Sequence, residues 1–138
     1  MRKLLIPYLA TGLVFWCMDL LWLNFVVKDL YSRELGDLLL ATPRALPAVG
    51  FYLLYVIGIV VFAVAPALEK NRGRMALGLG AFLGLLCYAT YDLSNLATLK
   101  QWSMWLALID IGWGTVVTSS AATAGFFLSR FIQLRLGR

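Results

Sequence analysis

Residues 86–95 read Leu86-Cys87-Tyr88-Ala89-Thr90-Tyr91-Asp92-Leu93-Ser94-Asn95. This stretch lies near the end of a long apolar run, and it carries a carboxylate and a carboxamide beside two tyrosines. An ionisable side chain in a membrane-spanning helix costs roughly 2.5–3.5 kcal/mol on insertion scales, so its presence needs a physical reason. Asp19 and Asp110 lie in comparable apolar runs and raise the same question.

The composition is that of a membrane protein. Of the 138 residues, 62% are hydrophobic and 14% are charged, and the mean hydropathy is +0.83. These values fall outside the range of soluble globular domains. The formal net charge of +5 could suggest nucleic acid, but the 12 Lys and Arg residues lie at the ends of apolar segments. Without a basic stripe, we expect a lipid bilayer as the partner and no nucleic acid.

Several kinds of site are excluded by residue type. The chain contains no histidine, which rules out His-ligated metal or haem and a histidine general base. Cys17 and Cys87 lie within apolar runs and form no CxxC pair, so we expect two small buried side chains. Asp and Asn oxygens alone could suit a hard divalent cation, but no ligand spacing supports one. The sequence therefore predicts neither a metal nor a cofactor.

Four apolar segments are long enough to cross a bilayer, which takes about 20 apolar residues in a helix. They cover residues 4–27, 48–67, 75–99 and 102–128. The first is too long for the apolar region of a signal peptide, and no convincing cleavage site follows it. The predicted fold class is therefore all-α, a single membrane domain over residues 1–138 that consists of a bundle of four transmembrane helices.

The connector between the first two spans is too polar to cross a membrane. Within it, Leu30, Glu34, Leu35 and Leu38 recur at helical spacing. This pattern predicts a short amphipathic helix on the membrane surface. The pattern favours a plain interfacial connector, with a lid over a site as the alternative.

The polar residues of the spans fall into one layer. With a rise of 1.5 Å per residue, all three aspartates lie about 10–12 Å inside the boundary opposite the termini. Gly80 and Gly84 form a G-x-x-x-G pair that allows close helix approach, and Asp92 continues their face, which should look into protein toward Asp110. Asp19 should complete the ring. The predicted ligand or proton site consists of Asp19, Trp22, Tyr52, Tyr55, Tyr88, Tyr91, Asp92, Asn95, Asp110 and Trp113.

No Lys or Arg occurs within the four predicted spans, so no cationic side chain balances the carboxylates at their own depth. Desolvation and mutual repulsion disfavour the charged forms, and we expect at least one aspartate to be protonated at pH 7. Hydrogen bonds from tyrosine, tryptophan or asparagine, a basic residue of the first loop, or a bound cation are further ways to stabilise the cluster.

Three functions remain open. The favoured one is binding or transport of a small cationic or amphiphilic molecule, with proton coupling as an option. The second is an enzyme that acts on lipid, with two aspartates as acid and base. The third is an accessory membrane subunit whose aspartates only hold helices together. A homo-oligomer and a partner membrane protein are possible partners under any of the three functions. The enzyme is less favoured than binding because no nucleophile elbow, phosphate loop or metal-ligand spacing accompanies the aspartates.

The distribution of basic residues predicts the orientation. Four spans place both termini on one side, together with Arg2, Lys3, Lys70, Arg72, Arg74, Arg130, Arg135 and Arg138. The opposite side carries Lys28, Arg33, Arg44 and Lys100. Because positively charged loops stay inside, we expect both termini in the cytoplasm.

Three segments carry a resemblance to a known family. They are Tyr31-Ser32-Arg33-Glu34-Leu35-Gly36, Tyr88-Ala89-Thr90-Tyr91-Asp92-Leu93-Ser94-Asn95-Leu96-Ala97-Thr98 and Asp110-Ile111-Gly112-Trp113-Gly114-Thr115. With these segments the chain resembles, over nearly its whole length, an uncharacterised bacterial membrane-protein family, domain of unknown function 2177. The resemblance implies a four-helix protein of the bacterial inner membrane and brings no established activity.

Overall fold

A computed structural model describes residues 2–137, with side chains from Leu4 onward. Arg138 and the side chains of Arg2 and Lys3, which entered the charge count, lie outside the described part. Within it, four helical segments are long and apolar enough to cross a membrane. They are Leu4–Val26, Ala45–Lys70, Gly73–Thr98 and Met104–Leu136. The predicted all-α fold with four transmembrane helices is confirmed.

Two of the four crossings are interrupted by π-helical turns, and a short helix lies between them. The first crossing consists of α1 (Arg2–Leu21) and a π-helical turn at Trp22–Val26. The connector contains α2 (Lys28–Leu35) and a 3₁₀ turn at Gly36–Leu38. The second crossing consists of α3 (Ala45–Ile59), a π-helical segment at Val60–Val64 and α4 (Ala65–Lys70). The third and fourth crossings are α5 (Gly73–Thr98) and α6 (Met104–Leu136).

The buried core lies where α1, the second crossing and α6 meet. Phe15, Ile59, Val117 and Phe126 are fully buried there. Many large apolar side chains point outward instead, and Phe25 is 81% exposed. Lipid tails are as apolar as leucine, so these outward faces have no drive to be buried in protein. Close packing of small residues must therefore bring the helices together.

The closest helix approach is between α5 and α6. A Cβ atom on Gly84 would overlap the carbonyl of Gly114, and one on Gly80 would lie 2.8 Å from the Ala122 Cβ. A Cβ on Gly114 would in turn overlap the ring of Tyr88. The G-x-x-x-G pair thus lies in a helix interface, where the absence of side chains lets the backbones meet.

Replacing Gly84 with Ala should destabilise the protein, because the added Cβ has no space beside the Gly114 backbone. Overpacking of this kind typically costs about 1–3 kcal/mol. Gly78→Ala is the matched control, since it lies in the same helix and nothing stands within 4 Å of its added Cβ. Thermal unfolding of both variants in the same detergent would measure the difference, and equal stabilities would contradict the close approach.

Candidate functional site

A cavity of about 470 Å³ lies between the helices, at the ends of the crossings that face away from the termini. Twelve residues line it: Asp19, Trp22, Leu23, Tyr31, Phe51, Tyr52, Tyr55, Cys87, Tyr88, Tyr91, Asp110 and Trp113. Most of the predicted site residues are therefore brought together. Asp92 and Asn95 are the exceptions, because neither of them lines the cavity. The ligand-binding role of the whole set stays a prediction.

Asp19 is the carboxylate that joins three helices. It is 6% exposed, and both of its oxygens accept hydrogen bonds. The Tyr52 hydroxyl donates to Oδ2 at 2.5 Å, and the Trp113 indole N–H donates to Oδ1 at 3.2 Å. A carboxylate offers about four acceptor positions, so these two bonds leave acceptor capacity for a ligand.

A stacked pair of indoles forms a second part of the wall. The Trp22 and Trp113 rings are parallel, with an interplanar angle of 1° and centroids 4.3 Å apart. Trp22 begins the π-helical turn that closes the first crossing. Such turns are frequent at functional sites because the extra residue changes the direction of the following side chains. Here the turn follows Asp19 by three residues, so both face the same cavity.

Tyr31 of α2 reaches into the cavity and was missed by the sequence prediction. Its hydroxyl donates to Oδ1 of Asp110 at 2.7 Å. Burial, reinforced by the Asp110 carboxylate, raises the pKa of Tyr31 well above its usual range, so the phenol stays a neutral donor. The connector is thus part of the cavity wall, which is the position that the lid alternative requires. Its sequence signal was a single aromatic residue in a polar segment.

Asp92 lies beside Asp110 but outside the cavity wall. The register of α5 and α6 explains this position. Tyr88 of α5 packs over Gly114 of α6, and one helical turn further from the termini Asp92 lies beside Asp110. Asp92 is fully buried, and among the described residues neither of its oxygens has a hydrogen-bond partner. The nearby Trp102 indole N–H is likewise without an acceptor. The buried Asp92 carboxyl thus adjoins the site without lining it.

The remaining tyrosines complete an aromatic lining. The hydroxyls of Tyr55 and Thr118 are 2.8 Å apart and hydrogen-bonded, and the Tyr88 ring packs edge-on against Tyr55 with centroids 6.2 Å apart. The Tyr91 ring packs edge-on against the Trp102 ring, with centroids 5.6 Å apart. The cavity therefore combines ring faces and ring edges with two buried carboxylates.

The expectation that both cysteines are buried is wrong. Cys17 and Cys87 are free thiols, and both are exposed at the protein surface. In a bilayer an outward position is apolar, so a thiol gains little from burial in protein. Cys87 also lines the cavity, a position that its place in an apolar run did not reveal.

The carboxylates are not arranged as a metal cage. In the described part of the chain, no group of three or more Cys, Asp or Glu side chains is placed to hold a metal ion. Asp19 and Asp110 instead each hold a phenol donor from a different helix. The arrangement offers separate acceptor groups around one space.

The fold and the cavity define an integral membrane protein with four helical crossings and carboxylates buried between them. The chain belongs to the family described as predicted membrane proteins, DUF2177, whose model matches residues 4–127. The resemblance drawn from the sequence is thereby confirmed at the level of the family. Neither a curated protein nor a solved structure matches the chain at a significant level.

Replacing Tyr31 with Phe should loosen α2, because the ring stays while the bond to Asp110 is lost. A hydrogen bond to a charged acceptor contributes about 1.5 kcal/mol, so hydrogen exchange in α2 should accelerate roughly tenfold. Ser32→Ala is the control, since that hydroxyl bonds only within α2, to the Lys28 carbonyl. Unchanged exchange in the Phe variant would show that this contact does not hold the connector.

Proposed function

We propose that this protein binds a small organic cation in the cavity between its crossings. One observation carries the proposal: Asp19 and Asp110 are buried in a space of about 470 Å³ whose other walls are largely aromatic. Carboxylates and ring faces together are the usual recognition elements for ammonium groups. A neutral ligand would leave both carboxylates without compensation in an apolar surrounding.

The electrostatic argument favours a cation for a second reason. Asp19 and Asp110 receive their hydrogen bonds from phenol and indole groups, which are neutral donors. Neutral donors satisfy acceptor positions but leave the negative charge in place. A cation that enters the cavity gains Coulomb energy in a medium of low dielectric constant, where such attraction is stronger than in water.

The aspartates also hold helices together, as the accessory-subunit alternative requires. Asp19 joins α1 to α3 and α6, and Asp110 joins α6 to α2. These bonds do not exclude a ligand, because they use only part of each carboxylate's acceptor capacity. The lipid-enzyme alternative has less support, because Asp92, the natural acid–base partner of Asp110, does not line the cavity.

The packing supports binding more directly than transport. On the terminal side of Tyr88, the α5 and α6 backbones are in close contact at Gly84 and Gly114, and neither glycine lines the cavity. A ligand could pass between α5 and α6 at this level only if the two helices separated. We therefore propose binding from the side opposite the termini as the primary activity, with proton-coupled movement as an extension that needs a second conformation.

Tetramethylammonium should bind the purified protein in lipid nanodiscs, with isothermal titration calorimetry as the measurement. Asp19→Asn and Asp110→Asn should each weaken binding at least about tenfold, which corresponds to about 1.4 kcal/mol for a lost ionic contact. Asn keeps the size of Asp, and its amide oxygen still accepts hydrogen bonds, so both variants should remain folded.

Asp37→Asn is the matched control, because it makes the same chemical change at an exposed residue of the connector. It should bind as the unmodified protein does. Loss of the folded protein in both cavity variants, judged by size-exclusion chromatography, would support purely structural aspartates. Folded variants with undiminished affinity would contradict the proposed site.

We also propose that the protein lies in the bacterial inner membrane with both termini in the cytoplasm. The excess of basic residues on the terminal side supports this orientation, and Lys70, Arg72, Arg74, Arg130 and Arg135 belong to it among the described side chains. The cavity would then open toward the outer leaflet.

Two single-cysteine variants would test the orientation after Cys17 and Cys87 are replaced by serine. A membrane-impermeant maleimide added to intact cells should label Asp37→Cys, because this exposed residue lies in the connector. It should label Gln133→Cys, near the end of α6, only after lysis. The reverse labelling pattern would place the termini outside the cell and the cavity on the cytoplasmic side of the membrane.

A further inference from the structure

A second concave space adjoins the aspartate cavity. It is a groove of about 550 Å³ between α1 and α3, and its lining is predominantly apolar. Two tyrosine hydroxyls of the lining are already engaged: Tyr8 donates to the Leu53 carbonyl at 3.3 Å, and Tyr52 donates to Asp19. The groove therefore offers mainly hydrocarbon contact, in contrast to the cavity beside it.

The two spaces meet at Tyr52, which lines both of them. Its hydroxyl bonds Asp19 in the cavity, while its ring packs edge-on against Phe15 of the groove, with centroids 6.1 Å apart. The Phe15 ring also packs against the Tyr55 ring, with centroids 5.1 Å apart. The carboxylate site and the hydrocarbon surface are thus adjacent, and the Tyr52 ring lies at the border between them.

The groove has a floor and two rims. Its floor lies where α1 and α3 approach, since a Cβ on Gly12 would meet the Val56 Cγ1 at 3.4 Å. The lining residues Leu13 and Leu53 are 61% and 53% exposed and form the rims. The volume lies within the range of about 300–1,000 Å³ that ligand pockets occupy.

We infer that the cavity and the groove together hold one single-chain cationic amphiphile, with its ammonium head beside Asp19 and Asp110 and its alkyl chain between α1 and α3. This inference rests on the proposed function and specifies the class of its ligand. Charge complementarity selects the head, and the apolar lining next to Tyr52 selects the chain. A compact cation would use only the first of the two spaces.

The test compares alkyltrimethylammonium ions of increasing chain length, with equilibrium dialysis against protein in nanodiscs and empty nanodiscs subtracted. From tetramethylammonium to octyltrimethylammonium, affinity for the unmodified protein should rise at least about tenfold, because each methylene transferred from water to an apolar site contributes favourably. Leu53→Trp should fill the groove and abolish this rise while tetramethylammonium still binds.

Leu54→Trp is the matched control, because Leu54 neighbours Leu53 on α3, is 70% exposed and does not line the groove. It should keep the full dependence on chain length. If Leu53→Trp does not fold, Leu13→Trp fills the groove from α1, with Leu5→Trp as its control.

The outcomes separate the two proposals. An equal rise in the groove variant and its control would place the chain in bulk lipid and overturn the inference, while leaving the cation site intact. Failure of every ion to bind the unmodified protein would overturn the proposed function and the inference with it. An affinity that rises with chain length in the unmodified protein and the control, but not in the variant with the filled groove, would support both proposals.

Discussion

The contact between the backbones of α5 and α6 at Gly84 and Gly114 sets the geometry of everything beyond it. In a bilayer, apolar side chains gain little by leaving lipid for protein, so helix association depends on close fit and polar contacts. Glycine provides that fit here, and it fixes the register of the two longest helices. As a result, Tyr88 packs over Gly114, and Asp92 lies beside Asp110 one helical turn further from the termini. Tyr88, which packs over Gly114, is also one of the residues that line the cavity.

Sequence reasoning could predict the helices, because the length of an apolar run indicates a membrane span. It could also group the polar residues into one layer, because the rise per residue gives the position of each residue along its helix. It could not predict how far each helix is rotated. Asp92 and Asp19 lie at a similar depth, yet only Asp19 lines the cavity, since the glycine contact turns the Asp92 face toward α6. Sequence reasoning did not predict the place of Tyr31 for a different reason: its hydrogen-bond partner Asp110 lies 79 positions away in the sequence.

The buried carboxylates serve structure and chemistry at once. A carboxylate between helices is an effective acceptor, and Asp19 uses this property to join α1 to α3 and α6. The same desolvation that strengthens these bonds raises the free energy of the uncompensated charge. The cation that we propose for the cavity would lower this free energy. The structural role of the aspartates and the proposed cation site thus depend on the same carboxylates.

The bond from Tyr31 to Asp110 makes the connector a competitor for the same acceptor that a ligand would use. Whatever contacts that oxygen of Asp110 must share it with the phenol or displace it. Displacement would release α2 at the membrane surface, and by linkage any protein that captured the released α2 would favour occupancy of the cavity by an equal free energy. The part-buried bond between α2 and α6 would then couple the position of the connector to the proposed cation site.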